Sequence, residues 1–295
     1  MQILSIQSSV AYGHVGNSAA VFPMQRLGVE VWPVHTVHFS NHTGYGAWQG
    51  PVMPAADVRA VIDGIEQLDD GRVLPQIDAV LSGYQGGEDI GEVILDAVAR
   101  VKAANPRAIY ACDPVMGNAV SGCFVHPAIP VLLRDRVVPQ ADLITPNQFE
   151  LGQLVGHSLT GTEPHTLEET LASVDAAREM GPRTVLVTSV MRPGVPADEL
   201  EMLAVHGAGD ESEAWLVRTP RLPLKANGSG DVTAALFTTH LLESGSAKEA
   251  LERTASSVFD LLSITLDSGE RELQLVAAQD AFAMPRRQFF AERVR

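Results

Sequence analysis

Short apolar runs alternate with longer amphipathic stretches along most of this 295-residue chain. Such alternation is typical of strands joined by crossover helices in a largely parallel sheet. We predict strands over residues 3–7, 29–37, 79–82, 108–113, 143–145 and 184–189. Between them we predict helices over residues 18–27, 56–68, 88–104, 150–154 and 167–180. The pattern therefore predicts an α/β fold in which helices flank a central, mostly parallel sheet.

The pattern changes after residue 200. Residues 201–217 are predicted to form a small hairpin, because two apolar runs flank the turn sequence Gly-Ala-Gly-Asp at 207–210. Three further helices are predicted over residues 231–243, 247–266 and 273–283. Because no linker, repeat or low-complexity tract interrupts the sequence, we expect residues 1–295 to form one domain.

Composition narrows the classes of partner. A formal net charge of −15 argues against nucleic acid or an anionic membrane, since both bind basic surfaces. The apolar N-terminal stretch is too short for a signal peptide and no later stretch reaches membrane-spanning length, so we expect a cytoplasmic protein. The two cysteines, Cys112 and Cys123, form no Cys-x-x-Cys pair, which indicates neither a disulfide framework nor a zinc site.

Polar side chains follow most of the predicted strands. Ligands of an open parallel sheet bind beyond the carboxyl ends of its strands, where loops lead into helices. The polar residues at these ends are Ser8, Ser9, Ser82, Tyr84, Asp113, Thr145, Asn147, Thr188 and Ser189. Their common position predicts one shared cleft.

The sharpest local pattern is Gly228-Ser229-Gly230-Asp231, which opens an apolar helix. Two glycines let backbone amides converge on an anion, and the helix dipole adds positive potential there. With only three lysines in the chain, a bound triphosphate would depend on such amides and on Mg²⁺. Asp231 has two interpretations: an N-cap of the helix, or the base that deprotonates a hydroxyl attacking a phosphoryl group.

Other candidate residues also allow two interpretations. Glu150 lies in the first turn of a predicted helix, where it either complements the helix dipole or contacts Mg²⁺. A lone histidine in a loop, such as His14, is more often structural than catalytic. His38 and His42 are four residues apart but lie in a loop, which argues against a metal site.

Six motifs occur in a familiar order. They are Gly-His-Val-Gly-Asn at 13–17, Phe-Ser-Asn-His-Thr-Gly-Tyr at 39–45, Leu-Ser-Gly-Tyr at 81–84, Asp-Pro-Val-Met-Gly at 113–117, Thr-Pro-Asn-Gln-Phe-Glu at 145–150 and Gly-Ser-Gly-Asp at 228–231. In this order the chain resembles the pyridoxal kinase family of the ribokinase-like superfamily. The resemblance implies a ribokinase-like fold and transfer of the ATP γ-phosphate to the 5′-hydroxymethyl group of pyridoxal, with pyridoxine and pyridoxamine as further acceptors. It also implies a requirement for Mg²⁺, the use of K⁺ and a homodimer.

The resemblance implies roles for individual residues. Asp231 would be the catalytic base, with Gly228, Ser229 and Gly230 as the anion hole. The acceptor pocket would contain Ser8, Thr43, Gly44 and Tyr84. The nucleotide would contact Asp113, Thr145, Asn147, Glu150, Thr188, Ser189, Thr219, Pro220, Arg221 and Leu222, and Glu150 and Asp113 would contact the metal.

Two positions depart from the pattern of relatives. Bacterial members of the family often have lysine where this chain has Thr188, and some carry a second acid where it has Asn118. A positive charge near the phosphates is therefore expected to be missing, and no metal contact is expected at Asn118.

Two other functions share parts of this pattern. A kinase for hydroxymethylpyrimidine or for a sugar would use the same phosphate-binding residues. A pyridoxal-binding protein without catalysis would need only the acceptor pocket. Tyr84 and residues 39–45 favour pyridoxal as the ligand, and the intact Gly-Ser-Gly-Asp sequence favours an enzyme.

Overall fold

Nine strands form the central sheet in the computed structural model, which describes residues 1–156 and 165–295. The strands of the chain are β1 (Gln2–Val10), β2 (Glu30–Phe39), β3 (Ala79–Ser82), β4 (Ile109–Cys112), β5 (Gly117–Asn118), β6 (Gly122–Cys123), β7 (Leu143–Ile144), β8 (Thr184–Val190), β9 (Glu199–His206), β10 (Glu213–Pro220) and β11 (Glu292–Arg293). Their order in the sheet is β11-β10-β9-β8-β7-β4-β3-β1-β2, while β5 and β6 pair only with each other. The strands from β2 to β8 in this order run parallel, and β9, β10 and β11 continue the sheet in antiparallel fashion. The prediction of a mostly parallel sheet with a hairpin is confirmed.

Helices cover both faces of the sheet. They are α1 (Asn17–Arg26), α2 (Ala55–Gln67), α3 (Glu88–Ala104), α4 (Ala128–Leu132), α5 (Gln148–Val155), α6 (Leu167–Glu179), α7 (Ser229–Ser244), α8 (Ala247–Ser268) and α9 (Gln279–Ala283). Helices α2 to α6 pack on one face, and α1, α7 and α8 pack on the other. Successive residues of a strand point to opposite faces. Accordingly, Leu4 of β1 is buried with the first group of helices and Ile3 with the second.

One predicted helix is largely wrong. The apolar spacing of residues 273–283 predicts a helix, but only Gln279–Ala283 is helical. Leu273 and Leu275 lie instead in an irregular segment and are buried against α1, α7 and α8. The apolar pattern therefore reflects the burial of a loop.

The topology brings the predicted cleft residues to one edge of the sheet. Parallel strands β1, β3, β4, β7 and β8 all end at this edge. Strand β10 is antiparallel to β9, which is antiparallel to β8, so the carboxyl end of β10 lies at the same edge. In the part of the chain that the structure describes, no helix is both long enough and apolar enough to cross a membrane.

Candidate active site

Helix α7 begins at the glycine turn beside the end of β1. Gly228 is its N-cap with φ +86°, a conformation that favours glycine. A Cβ at Gly228 would lie 1.9 Å from the backbone oxygen of His14, so the close approach of the two loops also requires glycine. Ser229 donates its hydroxyl to the backbone oxygen of Ala226 at 3.1 Å. The space around Gly230 is open, which leaves this side of the turn accessible.

Asp231 is the third residue of α7, two positions beyond its first residue. The interpretation of Asp231 as the N-cap is therefore wrong. Burial raises the pKa of its carboxyl to about 6, although the backbone N–H groups of Gly16 and of Asp231 itself lower it. A carboxylate with a pKa close to neutral pH suits general-base catalysis, because it is ionised at pH 7 and still binds a proton effectively.

Asp231 belongs to a group of three neighbouring acids, which we call the acidic cluster: Asp113, Glu150 and Asp231. Asp113 and Glu150 are almost fully buried, with 6% and 5% of their surfaces exposed. Burial, followed by the charges of Glu150 and Asp231, raises the pKa of Asp113 well above its usual value. Thr145 partly offsets this effect by donating its hydroxyl to Asp113 Oδ1 at 3.1 Å.

The acidic cluster has no basic partner among the described residues. None of the ion pairs there involves any of its three carboxylates. Burial raises the pKa of Glu150 to about 7, even though three backbone N–H groups donate to it and lower the value. Buried acids without a counter-charge hold their protons more tightly, and a cation placed beside them would favour their ionised forms.

Glu150 also has a structural role. It completes a capping box with Asn147: the side chain of Asn147 accepts from the Glu150 N–H at 2.9 Å, and Glu150 Oε2 accepts from the Asn147 N–H at 2.9 Å. Its Oε1 accepts from the N–H groups of Met116 at 2.9 Å and Gly117 at 3.3 Å. The carboxylate thus joins the start of α5 to β5. Oε2 receives only one of these bonds, so it retains a lone pair for another partner.

The donor set fits Mg²⁺ bound together with a nucleotide. No group of three or more His, Cys, Asp or Glu side chains that could hold a metal by itself occurs in residues 1–156 and 165–295. Mg²⁺ does not need such a group of side chains, since it typically binds to one or two carboxylates, waters and substrate phosphates. Asp113 and Glu150 would provide the carboxylates, and burial raises the pKa of both.

The residues predicted to contact the nucleotide lie at the ends of β7, β8 and β10. Thr188 donates its N–H to the backbone oxygen of Pro146 at 3.0 Å and forms a parallel bridge with Asn147. The next residue, Ser189, has φ +54°, which is uncommon outside glycine and is often found at functional sites. Its side chain is exposed where the register of β8 shifts. Thr219, Pro220, Arg221 and Leu222 follow at the end of β10, and the Arg221 N–H donates to the backbone oxygen of Asp198 at 2.7 Å.

The predicted acceptor residues lie near the ends of β1 and β3 and in the turn that follows β2. Ser8 is buried at the end of β1, and a Cβ on Gly16 would lie 2.3 Å from its hydroxyl. Tyr84 is half-buried against an apolar group made of Val10, Val15, Val37 and Phe39. Thr43 and Gly44 lie in an exposed turn, and a Cβ on Gly44 would lie 3.9 Å from the side-chain nitrogen of Asn227. The exposed turn is thus close to the residue that precedes the glycine turn.

One residue of the site carries no clear sequence signal. The side chain of Glu272 accepts from the N–H of His14 although the two are far apart in the sequence, whereas Gly16, whose N–H lies beside Asp231, belongs to the motif at 13–17. His14 bonds through Nδ1 to the backbone oxygen of Ser18 at 3.1 Å, which supports its structural interpretation. His42 Nδ1 accepts from the N–H of Gly44 at 3.0 Å, so this histidine shapes the turn.

Comparisons with known proteins place the chain among small-molecule kinases. The sequence model of the phosphomethylpyrimidine kinase family matches residues 39–274. A pyridoxal kinase PdxY from Leifsonia xyli is 69% identical over 294 residues, covering 100% of both chains. One from Corynebacterium diphtheriae is 62% identical, again covering 100% of both. Among solved structures, the pyridoxal kinase of Leishmania donovani in complex with ADP and pyridoxamine is similar, with a TM-score of 0.90 and 26% identity over 100% of this chain and 99% of that one.

Proposed function

The chain belongs to the phosphomethylpyrimidine kinase family and, within it, to the pyridoxal kinases, and on that premise we propose that it makes pyridoxal 5′-phosphate by transferring the ATP γ-phosphate to pyridoxal. Pyridoxine and pyridoxamine are proposed as further acceptors, because structures of the Leishmania donovani enzyme contain each of them with ADP. The observation that carries the proposal is the position of Asp231, a carboxylate with a pKa of about 6 beside an open glycine turn.

Asp231 is proposed to act as the base. It accepts the proton of the 5′-hydroxyl as the hydroxyl oxygen forms a bond to the γ-phosphorus. The bond from that phosphorus to the bridging oxygen breaks, and its electron pair leaves with ADP. The Gly16 N–H donates to this carboxylate and stabilises its ionised form. The amides of residues 228–230 stabilise the negative charge of the phosphoryl group, which is the largest effect that a site of this type supplies.

The nucleotide is proposed to bind along the ends of β7, β8 and β10. Asn147, Thr188 and Ser189 offer hydroxyl and amide groups, and Thr145 holds the Asp113 carboxyl in place through its 3.1 Å hydrogen bond. The stretch from Thr219 to Leu222 lies at the same edge of the sheet and would contact the rest of the nucleotide. Because Thr188 supplies no charge, the phosphates depend on backbone amides and on a metal ion.

Mg²⁺ is the metal proposed for the acidic cluster. Asp113 and Glu150 would hold it, directly or through water, and it would neutralise charge on the phosphates. Its presence would also relieve the repulsion among the three carboxylates. A monovalent ion such as K⁺ remains a proposal from the family resemblance alone.

The acceptor is proposed to lie between Tyr84 and the exposed turn that contains Thr43 and Gly44. Tyr84 offers an aromatic face, and stacking on a pyridine ring contributes about 0.5–1.5 kcal/mol beyond the burial of area. The buried hydroxyl of Ser8 offers a hydrogen bond to the polar edge of the ring.

Assays of ADP formation test this function. We expect rapid ADP formation with pyridoxal, slower formation with pyridoxine and pyridoxamine, and none with sugars. Hydroxymethylpyrimidine is the informative rival, because the family model carries the name phosphomethylpyrimidine kinase. Higher kcat/KM with this pyrimidine than with every B6 compound would overturn the proposed substrate, and ADP formation with neither would overturn kinase activity.

The remaining proposals concern the whole chain. We propose that residues 1–295 form one catalytic domain and that the protein is a cytoplasmic homodimer, both from the family resemblance. The thiol of Cys112 is buried and that of Cys123 is exposed, and neither is paired in a disulfide. Sedimentation of the purified protein across a range of concentrations would test the dimer.

A further inference from the structure

Two adjacent charged residues far from the motifs hold the exposed turn of the acceptor pocket. Arg271 and Glu272 follow α8, about 227 positions after the Thr43–Tyr45 turn. The hydroxyl of Tyr45 donates to Glu272 Oε1 at 2.6 Å. Arg271 donates to the backbone oxygen of Gly44 at 3.0 Å, and its guanidinium carbon lies 3.6 Å from the centre of the Tyr45 ring. We call these contacts the latch.

The latch residues stand on a rigid base. Leu273 and Leu275, which follow directly, are each 1% exposed and pack against α1, α7 and α8. Gln274 connects this segment to α8, because its N–H donates to the Thr265 hydroxyl at 3.1 Å. Its side chain also donates to the backbone oxygen of Glu272 at 2.9 Å. Arg271 and Glu272 are therefore fixed relative to the helices that carry the site.

The turn that Arg271 and Glu272 contact makes few buried apolar contacts of its own. Residues 46–50 are exposed, as are Thr43 and Gly44, so few buried apolar contacts stabilise this part of the chain. Ser40 pairs with Gln49 and His38 with Pro51 at the base of the loop, and within it Asn41 and His42 form hydrogen bonds to the backbone. Segments with few buried contacts open at low cost in free energy. Local hydrogen bonds shape the turn, and the latch connects it to the segment that follows α8.

Glu272 also reaches the catalytic side of the site. Its Oε2 accepts from the N–H of His14 at 3.0 Å, while Oε1 holds Tyr45. The backbone oxygen of His14 lies against Gly228, the N-cap of α7. One carboxylate thus connects the acceptor turn to the loop that packs on the glycine turn.

We propose that Arg271 and Glu272 are positioning residues for the acceptor: they hold the Thr43–Tyr45 turn closed against the glycine turn, so that the pyridoxal hydroxymethyl group stays aligned with Asp231. The proposal rests on the proposed function, because it assigns Thr43 and Gly44 to the acceptor pocket. Neither latch residue touches the reacting atoms. Weakening the latch should lower the affinity for the acceptor and leave nucleotide binding nearly unchanged.

Tyr45→Phe is the sharpest variant, because it removes one hydroxyl and keeps the ring under Arg271. We expect the KM for pyridoxal to rise about tenfold, the loss expected for a hydrogen bond to a charged group, with little change in the KM for ATP. Tyr12→Phe is the matched control. It removes a hydroxyl from the neighbouring ring, which is 61% exposed and contacts Tyr45 edge to face.

Glu272→Gln tests the carboxylate, with Glu270→Gln as a control that removes an exposed charge two residues away. Because Tyr45 acts through Glu272, the double variant Tyr45→Phe with Glu272→Gln should have nearly the same KM for pyridoxal as Glu272→Gln alone. If Glu272→Gln folds poorly, Tyr45→Phe still tests the latch. Equal increases in both KM values, or additive effects in the double variant, would overturn the proposal.

Hydrogen exchange gives a readout that needs no activity. The amides of residues 43–46 should exchange about tenfold faster in Tyr45→Phe than in the wild-type protein or in Tyr12→Phe. Unchanged exchange at these amides would show that the latch does not hold the turn. A protein that phosphorylates no B6 compound but still shows faster exchange would refute the proposed function and leave the latch standing.

Discussion

The carboxylate of Glu201 and the acidic cluster lie at the same edge of the sheet but differ in how their charge is balanced. Glu201 of β9 is fully buried between two arginines: Arg192 contacts its oxygens at 2.6 and 2.9 Å, and Arg218 contacts Oε1 at 2.8 and 3.1 Å. The acidic cluster of Asp113, Glu150 and Asp231 is also largely buried, yet it forms no ion pair within the described residues. The two sites are thus buried to a similar degree, but only Glu201 is paired with positive charges.

The difference distinguishes a structural carboxylate from a candidate functional group. A buried charge is tolerated when it is paired and hydrogen-bonded, as Glu201 is. The acidic cluster is stabilised only in part, by hydroxyl and N–H donors, and the pKa values of all three carboxyls are raised. Strongly shifted acids in a cleft are candidates for function. The missing counter-charge is what a metal ion arriving with the nucleotide would provide.

The strongest test of this contrast neutralises Asp231. Asp231→Asn should lower kcat by about 10²- to 10⁴-fold, the usual contribution of a general base. Stability should change little, because the weaker interaction with the helix dipole, about 0.3–1 kcal/mol, is offset by less repulsion with Asp113 and Glu150. Steady-state kinetics and thermal unfolding measure both effects.

Asp267→Asn, at the exposed end of α8, is the matched control and should leave kcat unchanged. A variant at residue 231 that kept more than half of wild-type kcat, under conditions where chemistry limits turnover, would show that another group is the base.

The opposite result is expected for the paired carboxylate. Glu201→Gln leaves two arginines beside a neutral buried group, which should destabilise the protein by about 3 kcal/mol. The value is at the lower end for a buried pair, because the side chains of Arg192 and Arg218 are 20% and 42% exposed. Thermal or denaturant unfolding measures the loss, and kcat of the folded fraction should stay close to wild type.

Glu199→Gln provides the control for Glu201. Glu199 contacts Arg218 at 3.2 Å and is 34% exposed, so its removal should cost less than about 1 kcal/mol. Equal stability of the two variants would remove the distinction between the paired group and its more exposed neighbour.

The fold was largely predictable because burial has a regular period in strands and helices. Apolar periodicity predicted the approximate positions of the parallel strands along the chain and both ends of α3, Glu88–Ala104. It missed α4, where Pro127 and Pro130 break the apolar pattern around a helix of five residues. It was wrong over residues 273–278, because an irregular buried segment has the same composition as a helical face.

The site was predictable only in part. The glycine turn and the polar strand ends are local features, so the sequence displays them directly. The contact of the Gly16 N–H with Asp231, and the hydrogen bond that the Tyr45 hydroxyl donates to Glu272, join residues more than 200 positions apart. Such contacts arise from topology, and no local pattern reveals them. The pairing of Glu201 with Arg192 and Arg218 also arises from the topology, so the sequence does not reveal it.

The smallest expected effect concerns the pH dependence of stability. The pKa of Glu150 is about 7 in the folded protein, against an ordinary value of 4.5. Between these values the folded state retains a proton that the unfolded chain has released. The resulting stabilisation is fully present below pH 4.5 and is lost as the pH rises through 7. A shift of this size corresponds to about 1–3 kcal/mol after allowance for relaxation of the site.

Glu150→Gln should therefore flatten the fall in the free energy of unfolding between pH 5 and 7.5. Glutamine also forms capping boxes, so α5 should still begin at the same residue. Histidines whose pKa burial lowers, such as His206, destabilise the fold as pH falls over the same window. The difference in slope between wild type and variant is thus the quantity to measure, in Mg²⁺-free buffer.

If Glu150 also holds Mg²⁺, the variant should need several-fold more Mg²⁺ for half-maximal activity. Parallel slopes together with an unchanged Mg²⁺ requirement would reduce Glu150 to a capping residue and leave Asp113 as the metal carboxylate.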